Sequence, residues 1–178
     1  MNLLIAINFE EQEKNILFDH MHTFVQECEK GVFTKKENIH LSLVYVGETT
    51  RIGNIVEVID SVDVTEFSIA LADKGKFRRS GGEVYWLGIE KNHDLMKLQK
   101  ILYRSLSRKG IISGKNDFKP HFTVSRDTVI SEENVPDSNF TMKLQVKSIS
   151  LMKRENTRDG SIYTEMYAKN LKKPSLLF

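Results

Sequence analysis

The segment Lys119-Pro120-His121-Phe122-Thr123-Val124-Ser125-Arg126 takes its meaning from a second one far upstream, Ile39-His40-Leu41-Ser42-Leu43-Val44. Both read histidine, any residue, a hydroxyl residue, then an aliphatic, and the two histidines lie 81 positions apart. Side chains of a β-strand alternate between faces. His40, Ser42 and Val44 therefore share one face, with Leu41, Leu43 and Tyr45 on the other. In the second segment His121, Thr123 and Ser125 point one way, and Phe122 and Val124 the other. A slip of one residue would bury the histidines and expose the apolar side chains, so the register should be firmly set. Strict alternation turns Arg126 away from the histidine face. It joins that face only where the strand bends or ends.

Outward from these strands, the chain repeats an element order. The short apolar run at residues 2–8 reads as a buried strand. A helix over 10–30 follows, with Ile16, Leu17, Met21, Phe24, Val25 and Cys28 at helical spacing and Gly31 as its stop. Residues 38–46 form the first histidine strand. Ile52, Ile55, Val56 and Ile59 give a short amphipathic helix, and 65–72 a half-buried strand. The charged, Gly-containing stretch 73–82 is the natural boundary between lobes, about 1–75 and 83–178, between which strands can be exchanged. The pattern then restarts with a strand at 83–90. Next comes a helix from Asn92 to about Lys109, capped by that asparagine and closed by Gly110. The second histidine strand covers 120–126, and two more strands are expected at 141–152 and 162–168.

The bulk properties narrow the function classes. The 178 residues are 40% hydrophobic and 28% charged, which suits one ordinary globular domain. A formal charge of +2 permits a local basic cleft but not a protein that coats nucleic acid by charge alone. The single cysteine, Cys28, cannot form an internal disulfide, which fits a reducing compartment. The opening Leu3–Ile7 is too short for a signal-peptide core. No later run approaches the ~20 apolar residues of a membrane helix. A cytoplasmic protein without membrane contact is expected, acting as a monomer.

Two imidazoles facing each other across a cleft, each with a hydroxyl two residues on, suit phosphodiester hydrolysis. A neutral histidine can take a proton from water and a protonated one can give a proton to the departing oxygen. With an unperturbed pKa of about 6.5, histidine serves both roles near neutrality. The hydroxyls of Ser42 and Thr123 can donate to non-bridging phosphate oxygens, where charge builds in the transition state. Lys119 and Arg126 are nearby positive charges for the same phosphate. This arrangement requires neither a metal nor another cofactor, and no third ligand stands at a spacing that would suggest zinc. Either histidine alone would be read as a structural residue; the pair with matching hydroxyls outweighs that reading. His20, His22 and His93 are expected to be non-catalytic. Phe77, beside Arg78 and Arg79, could stack on a base as single-stranded RNA sites do, or simply tuck into the core. Trp86 is read as core.

Taken together, these motifs resemble the two-histidine (2H) phosphoesterase superfamily and, within it, the RNA 2′,3′-cyclic phosphodiesterase family, also called 2′-5′ RNA ligases. The resemblance covers nearly the whole chain. It includes Leu4–Ile7, Glu37–Leu43 ending in Gly47-Glu48, Trp86-Leu87-Gly88, Pro120–Arg126, and Gly160 with Tyr163. It implies an α+β, bilobal fold: two antiparallel β-sheets facing each other across a cleft, with helices on the outer faces. It also implies that a terminal 2′,3′-cyclic phosphate on RNA is opened to a 2′-phosphomonoester, with His40 as proton donor and His121 activating water. Reverse 2′-5′ ligation is the same chemistry driven backwards. The chain departs from the family pattern at Ser42, where threonine is usual, and at Lys153–Arg158, which is more charged than the family leads one to expect. The alternatives are a 2H enzyme for another small cyclic nucleotide or a 2′-5′ linkage, and a non-catalytic RNA-binding module.

Overall fold

The computed structural model describes residues 1–25, 28, 30–80, 82–129 and 140–175, with side chains at all of these but 24, 25, 73 and 79. The elements run β1 (Asn2–Asn8), α1 (Glu11–Val25), β2 (Lys30–Phe33), a 3-10 turn (Lys36–Asn38), β3 (His40–Glu48), α2 (Ile52–Asp60), β4 (Phe67–Arg79) and β5 (Gly82–Ile89). They continue with α3 (His93–Arg108), β6 (His121–Val129), β7 (Lys143–Val146), β8 (Ser148–Thr157) and β9 (Gly160–Asn170). The strands form two antiparallel sheets, ordered β3-β1-β8-β9 and β2-β6-β5-β4-β7. This is the α+β, two-sheet architecture expected. Each sheet draws strands from both halves of the chain, and the two histidine strands fall in different sheets.

Central position explains the unbroken apolar run of β1. Leu3, Ile5 and Ile7 face the main core, while Leu4 and Ala6 meet Met152 and Tyr163 on the other side. Among the described residues, the buried side chains of the helices join the first of these clusters and not the second. α2 packs on β8 and β9, and α3 lies against α2 and β3. α3 starts where the Asn92 side chain accepts a hydrogen bond from Leu95 N at 2.9 Å, and it buries Leu95, Leu98, Leu102 and Leu106 at helical spacing. Each such side chain contributes roughly 1.5–3 kcal/mol by leaving water. On the second sheet Phe122 turns into the same core and meets Phe9 at 5.5 Å.

Several boundaries differ from the sequence reading. α1 ends at Val25, and Gly31 lies inside β2 instead of stopping a helix. Leu17 and Met21 are buried as expected, but Ile16 is exposed and Cys28 sits outside the helix, half-buried against the core. The expected Phe24 and Val25 contacts lie outside the described side chains. Residues 73–79 continue β4 and hydrogen-bond to β5, so the supposed boundary is a hairpin arm. The single strand expected over 141–152 is two, β7 in the second sheet and β8 in the first. The chain crosses between sheets at Lys147, where burial alternation breaks: Leu144 and Val146 are buried, then Ile149 and Leu151.

The β4–β5 hairpin carries one close approach. Gly75 pairs with Trp86, and a Cβ at Gly75 would stand 2.1 Å from the indole ring. Gly75→Ala should therefore displace the ring, at a cost of about 1–3 kcal/mol. Trp86 is the chain's only tryptophan, so the shift is readable as changed emission together with a lower denaturation midpoint.

Candidate active site

A bulge follows each motif hydroxyl and sets which side chains reach the cleft. On β3, Ile5 of β1 faces Val44 and Ala6 faces Ser42, leaving Leu43 as the extra residue. On β6, Tyr85 faces Ser125 and Trp86 faces Thr123, leaving Val124 as the extra residue. The consequence is the same in both strands. Leu43 and Val44 are both buried, and so are Val124 and Ser125. Strict alternation therefore fails after the hydroxyl: Val44 and Ser125 leave the histidine face, and Tyr45 is exposed. Ser125 instead accepts a hydrogen bond from Thr128 Oγ1 at 2.7 Å. The same bulge turns Arg126 into the cleft, the outcome that alternation alone denied it.

β3 and β6 approach each other from their separate sheets. Between them lies a cavity of about 270 Å³ whose lining includes His40, Ser42, His121, Thr123 and Arg126. Both imidazoles are held alike. His40 Nδ1 lies 2.7 Å from the carbonyl oxygen of Asn38, and His121 Nδ1 lies 2.7 Å from that of Lys119. A carbonyl oxygen only accepts, so Nδ1 carries the proton in each ring.

Their surroundings differ. The His40 ring sits 4.5 Å from that of Tyr163, and its pKa is lowered to about 4. Burial is the largest cause, aided by the positive charges of Lys14 and Arg126 and opposed by the hydrogen bond to Asn38. His121 lies against Phe77, edge-on at 5.4 Å, and against Trp86 at 6.2 Å, with Phe77 and Trp86 5.3 Å apart. Trp86, read as core, is thus half-buried packing behind the second imidazole. Phe77 and Lys119 do not line the central cavity. They border an adjoining groove shared with His121, and Lys119 Nζ stands 6.0 Å from the Phe77 ring. Arg78 pairs with Glu83 at 3.7 Å, and the Arg79 side chain lies outside those described. His20 and His22 stack on Phe140 and Phe18, and His93 is 89% exposed beside Asp94; none lines the cavity.

Three contributors escaped the sequence reading as site residues. The Asn38 side chain ties the β3 entrance to β9, donating to Ser161 O at 2.7 Å and accepting from Tyr163 N at 3.3 Å. Tyr163 and Arg154 line the cavity from the first sheet. The signals were there: Tyr163 belonged to the family resemblance, and Arg154 to the segment unusual in charge. Among the described residues no cluster of metal-ligating side chains occurs and no helix is long and apolar enough to cross a membrane.

With this geometry in view, residues 18–158 match the 2′-5′ RNA ligase superfamily. The chain belongs to that superfamily. Its relatives within reach by sequence include the RNA 2′,3′-cyclic phosphodiesterases of Thermotoga maritima and Methanothermobacter thermautotrophicus. The first is 28% identical over 177 residues, covering 94% of each chain. The second is 28% identical over 176 residues, covering 91% of this chain and 94% of the other. The fold is that of E. coli LigT, solved in complex with 3′-AMP, at a TM-score of 0.82 and 23% identity over 96% of this chain and 97% of LigT. Within the 2′-5′ RNA ligase superfamily fold, the cavity of this chain lies where the two sheets meet.

The depressed pKa of His40 has a measurable sign. In the unfolded chain the imidazole titrates near 6.5, so on acidification the unfolded state takes the proton first. Stability should fall between about pH 6.5 and 4 by up to about 3 kcal/mol on account of this residue, with no contribution above that window. Chemical denaturation of the protein and of His40→Gln across this range should differ by that decrement, which the variant lacks.

Proposed function

We propose that the protein hydrolyses a terminal RNA 2′,3′-cyclic phosphate to a 2′-phosphomonoester. The observation that carries this reading is the pair of imidazoles, one from each sheet, both fixed through Nδ1 to a carbonyl two residues upstream and both lining one cavity with Ser42, Thr123 and Arg126. The names of the relatives point to the same substrate.

In the proposed reaction water attacks phosphorus as His121 Nε2 takes its proton. The P–O3′ bond breaks, and His40 Nε2–H gives its proton to the departing O3′. Phosphate remains on the 2′-oxygen. Ser42, Thr123 and Arg126 hold the non-bridging oxygens, where negative charge accumulates. His40 must be protonated at this step although burial lowers its pKa to about 4 in the protein alone. The anionic cyclic phosphate bound beside it favours the charged imidazole and offsets burial and the neighbouring cations. Proton transfer by two imidazoles needs no metal. Phe77 and Lys119 border the groove continuing from His121, where Phe77 would stack on a base and Lys119 would add positive charge. In 2′-5′ ligation a 5′-hydroxyl would take the place of water: its oxygen attacks phosphorus and gives its proton to His121, while O3′ leaves with the proton of His40.

With adenosine 2′,3′-cyclic phosphate in excess chelator, turnover should persist. His40→Ala and His121→Ala should each lower kcat/KM by about 10²-fold or more, with circular dichroism unchanged. Full activity in either variant rules out the two-histidine mechanism. Tight binding without turnover by the unmodified protein would favour the RNA-binding module.

A further inference from the structure

Beyond the reacting phosphate, the same cavity is lined by Arg154, Asp159 and Ser161 from the β8–β9 end of the first sheet and by Lys35 from the connection between β2 and the 3-10 turn. Arg154 pairs across the sheet with Tyr163, the residue whose ring lies against His40. Its Nε donates to Ser161 Oγ at 3.1 Å, and that hydroxyl in turn donates to Asn156 Oδ1 at 3.1 Å. The guanidinium is thus anchored at one nitrogen, and among the described residues no carboxylate lies within ion-pair distance of it. Over the whole lining, Lys35, Arg126 and Arg154 stand against Asp127 and Asp159, three cations to two anions.

The position is held rigidly relative to the chemistry. Asn38 accepts the Nδ1 proton of His40 on its carbonyl, and its side chain binds the β9 backbone at Ser161 and Tyr163. One residue therefore joins the imidazole to the strand that supports Arg154.

We propose that Arg154, assisted by Lys35, is a subsite for the phosphate on the 5′-oxygen of the nucleotide whose cyclic phosphate is opened. This rests on the function proposed above, and the direction follows from it. If His40 protonates O3′, the ribose lies on the His40 side, flanked by the Tyr163 ring. The next anionic group along the chain from that ribose is its 5′-phosphate, met by a guanidinium whose planar fork matches phosphate oxygens. Arg154 lies in the segment 153–158, whose charge exceeds what the family pattern suggests, so the subsite would be a property of this chain. Its chemistry would favour RNA ends, where the 5′-oxygen always carries a phosphodiester, over bare cyclic nucleosides.

The test compares kcat/KM for adenosine 2′,3′-cyclic phosphate, its 5′-phosphorylated form and the dinucleotide ApA 2′,3′-cyclic phosphate. The 5′-phosphorylated substrate should be preferred by about tenfold, the worth of one charge-assisted hydrogen bond. Arg154→Gln should reduce the preference to about twofold, and Lys35→Gln should lower it by less. An equal preference for the dinucleotide assigns the subsite to the RNA chain. A preference confined to the phosphomonoester assigns it to 5′-phosphorylated nucleotides. Arg158→Gln, on the β8–β9 turn outside the cavity, should keep the full preference. Equal use of all three substrates, an unchanged preference in Arg154→Gln, or an equal loss in Arg158→Gln would overturn the subsite. If none is hydrolysed, the proposed reaction falls on its own. Calorimetry with adenosine 2′-phosphate and adenosine 2′,5′-bisphosphate then still decides the subsite by the same comparison: tighter binding of the bisphosphate, lost in Arg154→Gln, supports it, and equal affinities overturn it.

Discussion

A backbone carbonyl two residues before each motif histidine accepts the Nδ1 proton, at 2.7 Å in both cases. Because the carbonyl cannot donate, the bond fixes the tautomer as well as the ring orientation. Two such bonds, one on each sheet, hold two imidazoles at the lining of one cavity by the same local device used twice. The device works only if the following hydroxyl shares the histidine's face and the chain then turns away. The bulges at Leu43 and Val124 accomplish this turn.

The two half-sites are alike in backbone and unlike in surroundings, and the difference suits them to different roles. The His40 ring lies against Tyr163, and burial, together with the charges of Lys14 and Arg126, lowers its pKa. His121 stands on an aromatic shelf of Phe77 and Trp86, which lies over Gly75. A group whose charge is suppressed until an anion arrives can couple protonation to substrate binding. The family resemblance assigns proton donation to His40, and its electrostatics make that assignment conditional on the bound phosphate.

Much of this was legible before any coordinates. Alternation placed His40 with Ser42 and His121 with Thr123, and the leucine spacing of 95–106 together with Asn92 defined α3 almost to the residue. The bulges were harder. On β3 the adjacent apolar pair Leu43-Val44 is a faint sign that alternation breaks, but Val124-Ser125 offers no such sign, because Ser125 is buried by its bond to Thr128. Alternation alone therefore turns Arg126 away from the histidines, and it is the bend at the bulge that brings it to their cavity. The split of 141–152 was written in the phase change between Val146 and Ile149, yet a phase change alone does not say that the chain passes to another sheet. Asn38 could not be picked out, since its role depends on β9, more than a hundred positions away.

In the proposed reaction a single acid on one side of the phosphate allows only one of the two ester bonds to break. The most direct test of the account is therefore ³¹P NMR of the product formed from adenosine 2′,3′-cyclic phosphate in the presence of chelator. Resonance from the 2′-phosphomonoester alone is the predicted result. Accumulation of the 3′-phosphate, alone or as a mixture, would contradict the fixed pairing of His40 with O3′ on which the site has been interpreted.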